Sequence, residues 1–94
     1  MDLPVTENVA GRRFEMALPG AAMAAVYYRI DENGSFVLIH TDVPEAFEGH
    51  GTATRLAIGV FGLIQASGRK VVLKCPFMSA VFRTHPEYAD LVAG

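Results

Sequence analysis

Six consecutive residues, Glu48-Gly49-His50-Gly51-Thr52-Ala53, offer the clearest chemistry in this chain. They stand between a run of strand-forming residues and a run with helical spacing. The first N–H groups of a helix lack partners inside the helix, and the helix dipole adds partial positive charge there. Glycines ahead of such a start let the backbone approach an anion with no Cβ in the way. Gly49, His50, Gly51, Thr52 and Ala53 are therefore candidates to hold a phosphate. Arg55, in the first helical turn, is within reach of the same anion, or is a plain surface arginine. The loop also fits an ordinary turn that needs two permissive residues. Two other phosphate motifs are excluded. The dinucleotide fingerprint needs glycine at position 54, where Thr54 stands, and a P-loop ends in Gly-Lys-Ser/Thr rather than Gly51-Thr52-Ala53.

Cys75 and His40 form the second candidate group. Cys75 falls at the end of one strand-like run and His40 inside another. If those runs pair in parallel, the two side chains can face one cleft. A thiol with an ordinary pKa of about 8.5 serves either as a nucleophile, once deprotonated, or as an acid toward a departing thiolate. The structural alternatives are a small buried cysteine and a hydrogen-bonded sheet histidine. His50 reads as a loop residue that can touch phosphate, and His85 as ordering the last turn. Three histidines without clustered spacing, and one cysteine, do not suggest a metal site. Glu45 and Glu48, three apart on a loop, read as surface carboxylates.

The elements that must position these residues follow from periodicity. Phe14 to Leu18 alternates apolar and polar, the mark of a half-buried strand. Pro19-Gly20 is a turn, and Met23 to Ile30 a second strand. Its Tyr27 and Tyr28 point to opposite faces, one into the core and one toward an acceptor side. Asp31-Glu32-Asn33-Gly34 carries an Asn-Gly hairpin signal in which both residues tolerate positive φ. Phe36 to Val43 is the third strand, and residues 1–11 are an irregular arm or an edge segment. A loop from Pro44 leads to a helix over Thr52 to Ser67. There Ala53, Leu56, Ala57, Val60, Phe61 and Ile64 share one face, and Gly68 takes the C-cap. Gly59 and Gly62 inside this helix predict close packing on the sheet. Lys70 to Cys75 is a fourth strand, buried on both faces at Val71, Val72 and Leu73. Phe77 to Thr84 is a short helix that breaks near His85 before Pro86, with Phe77 and Phe82 in the core. Tyr88, Leu91 and Val92 pack back as a last turn. The centre of the chain is thus a βαβ unit with parallel strands and a right-handed crossover. No repeat or linker is visible, so residues 1–94 read as a single domain.

Bulk properties narrow the function. The 94 residues suffice for one domain, and 51% hydrophobic residues supply a core. A net charge of −2 without a basic stripe gives no support to nucleic-acid binding. A lone cysteine fits a reducing, cytoplasmic setting. The N-terminus does not read as a signal peptide, and the longest apolar run, Leu56 to Ile64, is far too short to span a bilayer.

With these pieces in order, the chain resembles the GNAT superfamily of acetyl-CoA-dependent acyltransferases. The superfamily motif Gln/Arg-x-x-Gly-x-Gly/Ala is met by Glu48-x-x-Gly51-x-Ala53 at its second and third fixed positions. Glu48 replaces the usual Gln or Arg; a carboxylate there repels phosphate, and a site held by backbone N–H groups tolerates it. A narrower resemblance is to the minimal single-domain GNAT-like family. It is carried by Arg13-Phe14-Glu15, His40-Thr41-Asp42-Val43-Pro44, Glu48-Gly49-His50-Gly51, Lys70-Val71-Val72, Cys75-Pro76-Phe77 and His85-Pro86-Glu87-Tyr88, from about residue 6 to residue 92. Val81 stands where members often carry a tyrosine.

The resemblance implies an α+β, truncated GNAT-like fold. Its sheet is mixed and mostly antiparallel around a central parallel βαβ unit, with one long helix and one short C-terminal helix. It implies CoA in the cleft where the parallel strands splay apart, with backbone groups of Asp42 and Val43 pairing with the pantetheine arm. Cys75 and His40 become the catalytic candidates. The expected activity is transfer of an acetyl group from acetyl-CoA to an unidentified amine, which a protein can supply. Partners other than acetyl-CoA and that acceptor, such as nucleic acid or a membrane, are not expected. The alternative is a non-catalytic CoA or acyl-CoA-binding module.

Overall fold

Alternating apolar residues build one sheet whose strands follow chain order. In the computed structural model, which describes residues 4–49 and 51–92, the strands are β1 (Val5–Asn8), β2 (Arg13–Leu18), β3 (Ala22–Ile30), β4 (Phe36–Asp42) and β5 (Val71–Leu73). They lie side by side in that order. The first three pairings are antiparallel and β4–β5 is parallel. The N-terminal arm is therefore an edge strand. The βαβ unit, central in the chain, forms the other end of the sheet.

Turn chemistry sets the antiparallel register. Asp31 Oδ1 accepts the N–H groups of Asn33 and Ser35, both at 2.9 Å, and fastens the hairpin between β3 and β4. Gly34 alone of the Asn-Gly pair takes a positive φ, 79°, so the turn uses one left-handed residue where the sequence suggested two. Two residues other than glycine also sit at positive φ: Arg12 at 54° and Ala21 at 62°. Such conformations cost of order 1 kcal/mol or more each.

The helix α1 (Thr52–Ser67) has the expected bounds, and Gly68 caps it at φ 75° with its N–H on the Gln65 carbonyl. Leu56, Ala57, Val60, Phe61 and Ile64 are fully buried against Phe14, Met16, Val26 and Leu38 of the sheet. Each large side chain buried there contributes about 1.5–3 kcal/mol. Gly59 does meet the sheet closely: a Cβ there would fall 2.4 Å from Cγ2 of Val5 on β1. Gly62 faces open space, so close packing accounts for one of the two glycines.

Helix α2 (Pro76–Arg83) starts at a proline, whose missing N–H costs nothing in a first turn. A 3₁₀ turn, Pro86–Leu91, returns the tail to the core. Tyr88 packs on Phe61 in a tilted arrangement with ring centroids 5.5 Å apart, Leu91 is buried, and Val92 bridges to Val71. β5 is shorter than expected, and of its residues only Val71 is fully buried. It is the end strand of the sheet, and Val72 and Leu73 remain half-buried. No described helix is long and apolar enough to cross a membrane.

Candidate active site

The site is created by an extra residue in β4. Across β3, Tyr28 pairs with Leu38 but Tyr27 pairs with His40, leaving Ile39 without a partner. This β-bulge changes which side chains share a face. Plain alternation would put His40 beside Phe36 and Leu38, on the helix side. The extra residue turns His40 outward and Thr41, opposite core residue Val26, inward. His40 stacks on Tyr27 on the outer face, at 6.1 Å between rings. Arg13 also lies over the Tyr27 ring, 6.0 Å from its centroid, and binds Glu15. The structure thus separates His40 from Cys75 and brings Thr41 to the thiol instead, with Oγ1 3.4 Å from Sγ. Of the two tyrosines, Tyr28 is the core residue and Tyr27 the half-buried outer one.

Cys75 is the N-cap residue of α2 and is 6% exposed. Burial pushes its thiol pKa up. Hydrogen bonds from the Thr41 hydroxyl and from the backbone N–H groups of Met78, Phe77 and Thr41 outweigh that and hold it below the ordinary value. The physical cause is a helix start that directs N–H groups at the sulfur and favours the thiolate.

The bulge also opens a cleft. β5 follows β4 only through Phe36–Val71, Val37–Val72 and Leu38–Leu73, and the last link is the Lys74 N–H on the Leu38 carbonyl at 3.0 Å. Beyond it the chains diverge. A cleft of about 440 Å³ lies between the end of β4, the glycine loop, the start of α1 and α2. That volume suits a cofactor-sized ligand. Its walls include Thr41, Val43, Phe47, Glu48, Gly49, Gly51, Thr52, Ala53, Thr54 and Phe77. Gly49 and Gly51 both take left-handed conformations, φ 78° and 76°, which turn the chain into α1. The Arg55 N–H bonds Gly51 O at 3.0 Å, and Gly51, as N-cap, offers no side-chain bond to the N–H groups before it. The backbone donors of Thr52, Ala53 and Thr54 are therefore placed at the cleft.

Most of the expected cofactor residues meet here: Val43, Glu48, Gly49, Gly51, Thr52 and Ala53. His50 lies outside the described residues. Asp42 and Arg55 are exposed and do not line the cleft. Asp42 alternates with Thr41 and Val43 along the strand and so points outward. Sequence reasoning missed Thr41, Phe47, Thr54 and Phe77. Phe77, expected in the core, is 36% exposed and forms a wall of the cleft. Its place one residue after Pro76, at the start of an amphipathic helix, was the available signal. Phe82 does pack on the core, edge-on to Phe61 at 5.7 Å. Among the described residues no group of three or more His, Cys, Asp or Glu is placed to hold a metal ion.

A five-stranded mixed sheet opened beside a glycine loop and a helix start is the arrangement expected of a GNAT-like fold. Residues 13–91 match the model of the GCN5-related N-acetyltransferase family, and the chain belongs to that family. It is thereby an enzyme of the acyltransferase class, with a GNAT-like fold. A GCN5-like candidate N-acetyltransferase from Staphylococcus aureus, solved by NMR, shares the fold: TM-score 0.71, 21% identity, covering 99% of this chain and 90% of that one. Comparison with curated proteins gives no significant match.

Proposed function

We propose that residues 1–94 act as one acetyl-CoA-dependent N-acyltransferase unit. The observation that carries this is the cleft itself, which joins uncapped N–H groups of α1 to the edge of β4 that β5 leaves open and reaches Thr41, whose hydroxyl contacts the Cys75 thiol. The pyrophosphate of CoA would lie on the Gly49–Ala53 backbone. The pantetheine arm would run along Thr41 and Val43, an open strand edge that pairs with an extended amide chain. Glu48 is exposed, so its carboxylate can turn to solvent while the backbone holds the anion.

Cys75 then acts as nucleophile. Its thiolate attacks the thioester carbonyl carbon, the carbon–sulfur bond to CoA breaks, and CoA leaves as a thiolate that takes a proton. The acceptor amine attacks the acetyl-Cys75 thioester, an amide bond forms, the Cys75 sulfur leaves, and a proton passes from the amine. His40, exposed beside Tyr27 on the outer face, lies across the sheet from Cys75 and takes no direct part in this step, so the amine's proton passes to solvent. The acceptor amine is of unassigned class, and an amine on a protein is one source. A cytoplasmic setting keeps the lone thiol reduced.

Calorimetric titration with acetyl-CoA is the first test. Saturable binding is expected, and no saturation at millimolar ligand would sink the cofactor assignment. Cys75→Ala should abolish turnover while sparing CoA binding, and intact mass should show one acetyl group on wild-type protein alone. His40→Ala should leave both acetylation of Cys75 and transfer to the amine largely unchanged, since its side chain lies across the sheet from the thiol. One observation favours a second reading, a CoA-binding module without catalysis: Val81 is buried and offers no hydroxyl for the leaving thiolate. Free CoA released above the blank, with a panel of amines, excludes that reading.

A further inference from the structure

A second cavity, of about 560 Å³, lies at the far end of the molecule from the acetyl-CoA cleft. It is bounded by the turn after β1, the start of β4 and the C-terminal end of α1. The cleft contacts Thr52 to Thr54 and this cavity contacts Ser67 and Arg69. A helix of this length separates the two by about 20 Å.

We propose that this cavity binds a small monoanionic carboxylate with an apolar or aromatic body. Its charged wall holds Arg12, Arg69 and Glu7. Neither arginine forms an ion pair among the described residues, and Glu7 is engaged by the Tyr28 hydroxyl, which donates to its Oε2. Two guanidiniums and one carboxylate leave a single positive charge, which a carboxylate balances and a phosphate dianion overshoots. The planar fork of arginine matches a carboxylate in two parallel hydrogen bonds. Beside Tyr28 and Ser67, the wall carries apolar side chains: Val9, Ile30, and Phe36 under the Arg69 guanidinium at 5.2 Å.

The backbone supplies a second, independent observation. Arg12 sits at φ 54°, in a turn closed by its own N–H on the Val9 carbonyl, while Gly11 beside it does not use the left-handed region. Glycine would hold position 12 without strain. An arginine kept at a strained position, with its side chain on a cavity, points to a role for the guanidinium rather than for the turn.

The test is a titration of the whole protein with benzoate, followed by NMR at the amides of Arg12, Tyr28 and Arg69 and at the arginine side-chain N–H groups. Saturable shifts confined to this end are expected. Benzamide, neutral and of the same shape, should give none. Arg69→Met should weaken benzoate by about tenfold or more. Arg12→Gly should weaken it equally while raising the melting temperature, a pairing that loss of structure cannot produce. Equal shifts with benzamide, or unchanged affinity in both variants, would overturn the proposal. Tighter binding of inorganic phosphate than of benzoate would overturn the carboxylate assignment. Acetyl-CoA affinity should be the same in both variants, so failure here and failure of the cofactor cleft are read separately.

Discussion

The two halves of β4 use neighbouring residues for opposite ends. From Phe36 to Leu38 the strand is paired on both sides, and its three side chains are at most 2% exposed. Beyond the bulged Ile39, which is 46% exposed, His40 to Asp42 are paired only with β3, and the freed edge faces the cleft. A single extra residue separates the halves. The lesson is that this site is made by withholding a strand partner. The half that keeps its partners carries the stability, and the half that loses one carries the chemistry.

The largest effect should come from the closed half. Leu38→Ala removes a fully buried side chain beneath α1 and should cost about 2–5 kcal/mol in urea unfolding. Thr41→Ala, in the open half, should cost under about 1 kcal/mol by the same measurement. Deleting Ile39 attacks the distinction itself. β4 would then pair evenly with β3 and lose the kink that parts it from β5, and acetyl-CoA affinity should fall by about tenfold or more while far-ultraviolet circular dichroism stays native. An unchanged affinity would mean that the bulge does not make the cleft.

The smallest effect is electrostatic. The Cys75 thiol is held below its ordinary pKa, so iodoacetamide labelling should rise with a midpoint below that of an unfolded cysteine. By linkage, the folded state gains from the thiolate at pH above the ordinary thiol value, and this gain is lost as pH falls through the folded value. Thr41→Val removes the hydroxyl donor and should move the labelling midpoint upward. A midpoint unmoved by that change would leave the backbone N–H groups as the sole cause.

Much of this was legible in the sequence, and the gaps share a cause. The bounds of α1 could be read because glycine, apolar spacing and strand propensity speak locally at Gly51, Leu56 to Ile64 and Gly68. The strand–glycine loop–helix–strand layout followed from such signals, and the GNAT-like fold from the resemblance carried by Cys75-Pro76-Phe77 and His85-Pro86-Glu87-Tyr88. The bulge could not be read, because Leu38-Ile39-His40-Thr41 is good strand sequence with or without an extra residue. One residue of slip reverses every side chain beyond it. That is why His40 was expected beside Cys75 and Thr41 was overlooked. Phe77 was misplaced for a related reason: an aromatic at a helix start is core or cleft wall according to what packs above it, which only the tertiary arrangement decides.

The order of strands across the sheet has a consequence for how the protein acquires its activity. Each antiparallel pairing joins neighbours along the chain through a short turn, the kind of contact that forms within microseconds. The parallel pairing of β4 with β5 must wait for α1 to form and cross over, since a long loop has to close before its contacts repay the lost entropy. The cleft lies at that last seam. A nascent or partly unfolded chain can therefore hold its hairpins and still have no place for a cofactor, and catalytic competence should be the final property gained on folding and the first surrendered on warming.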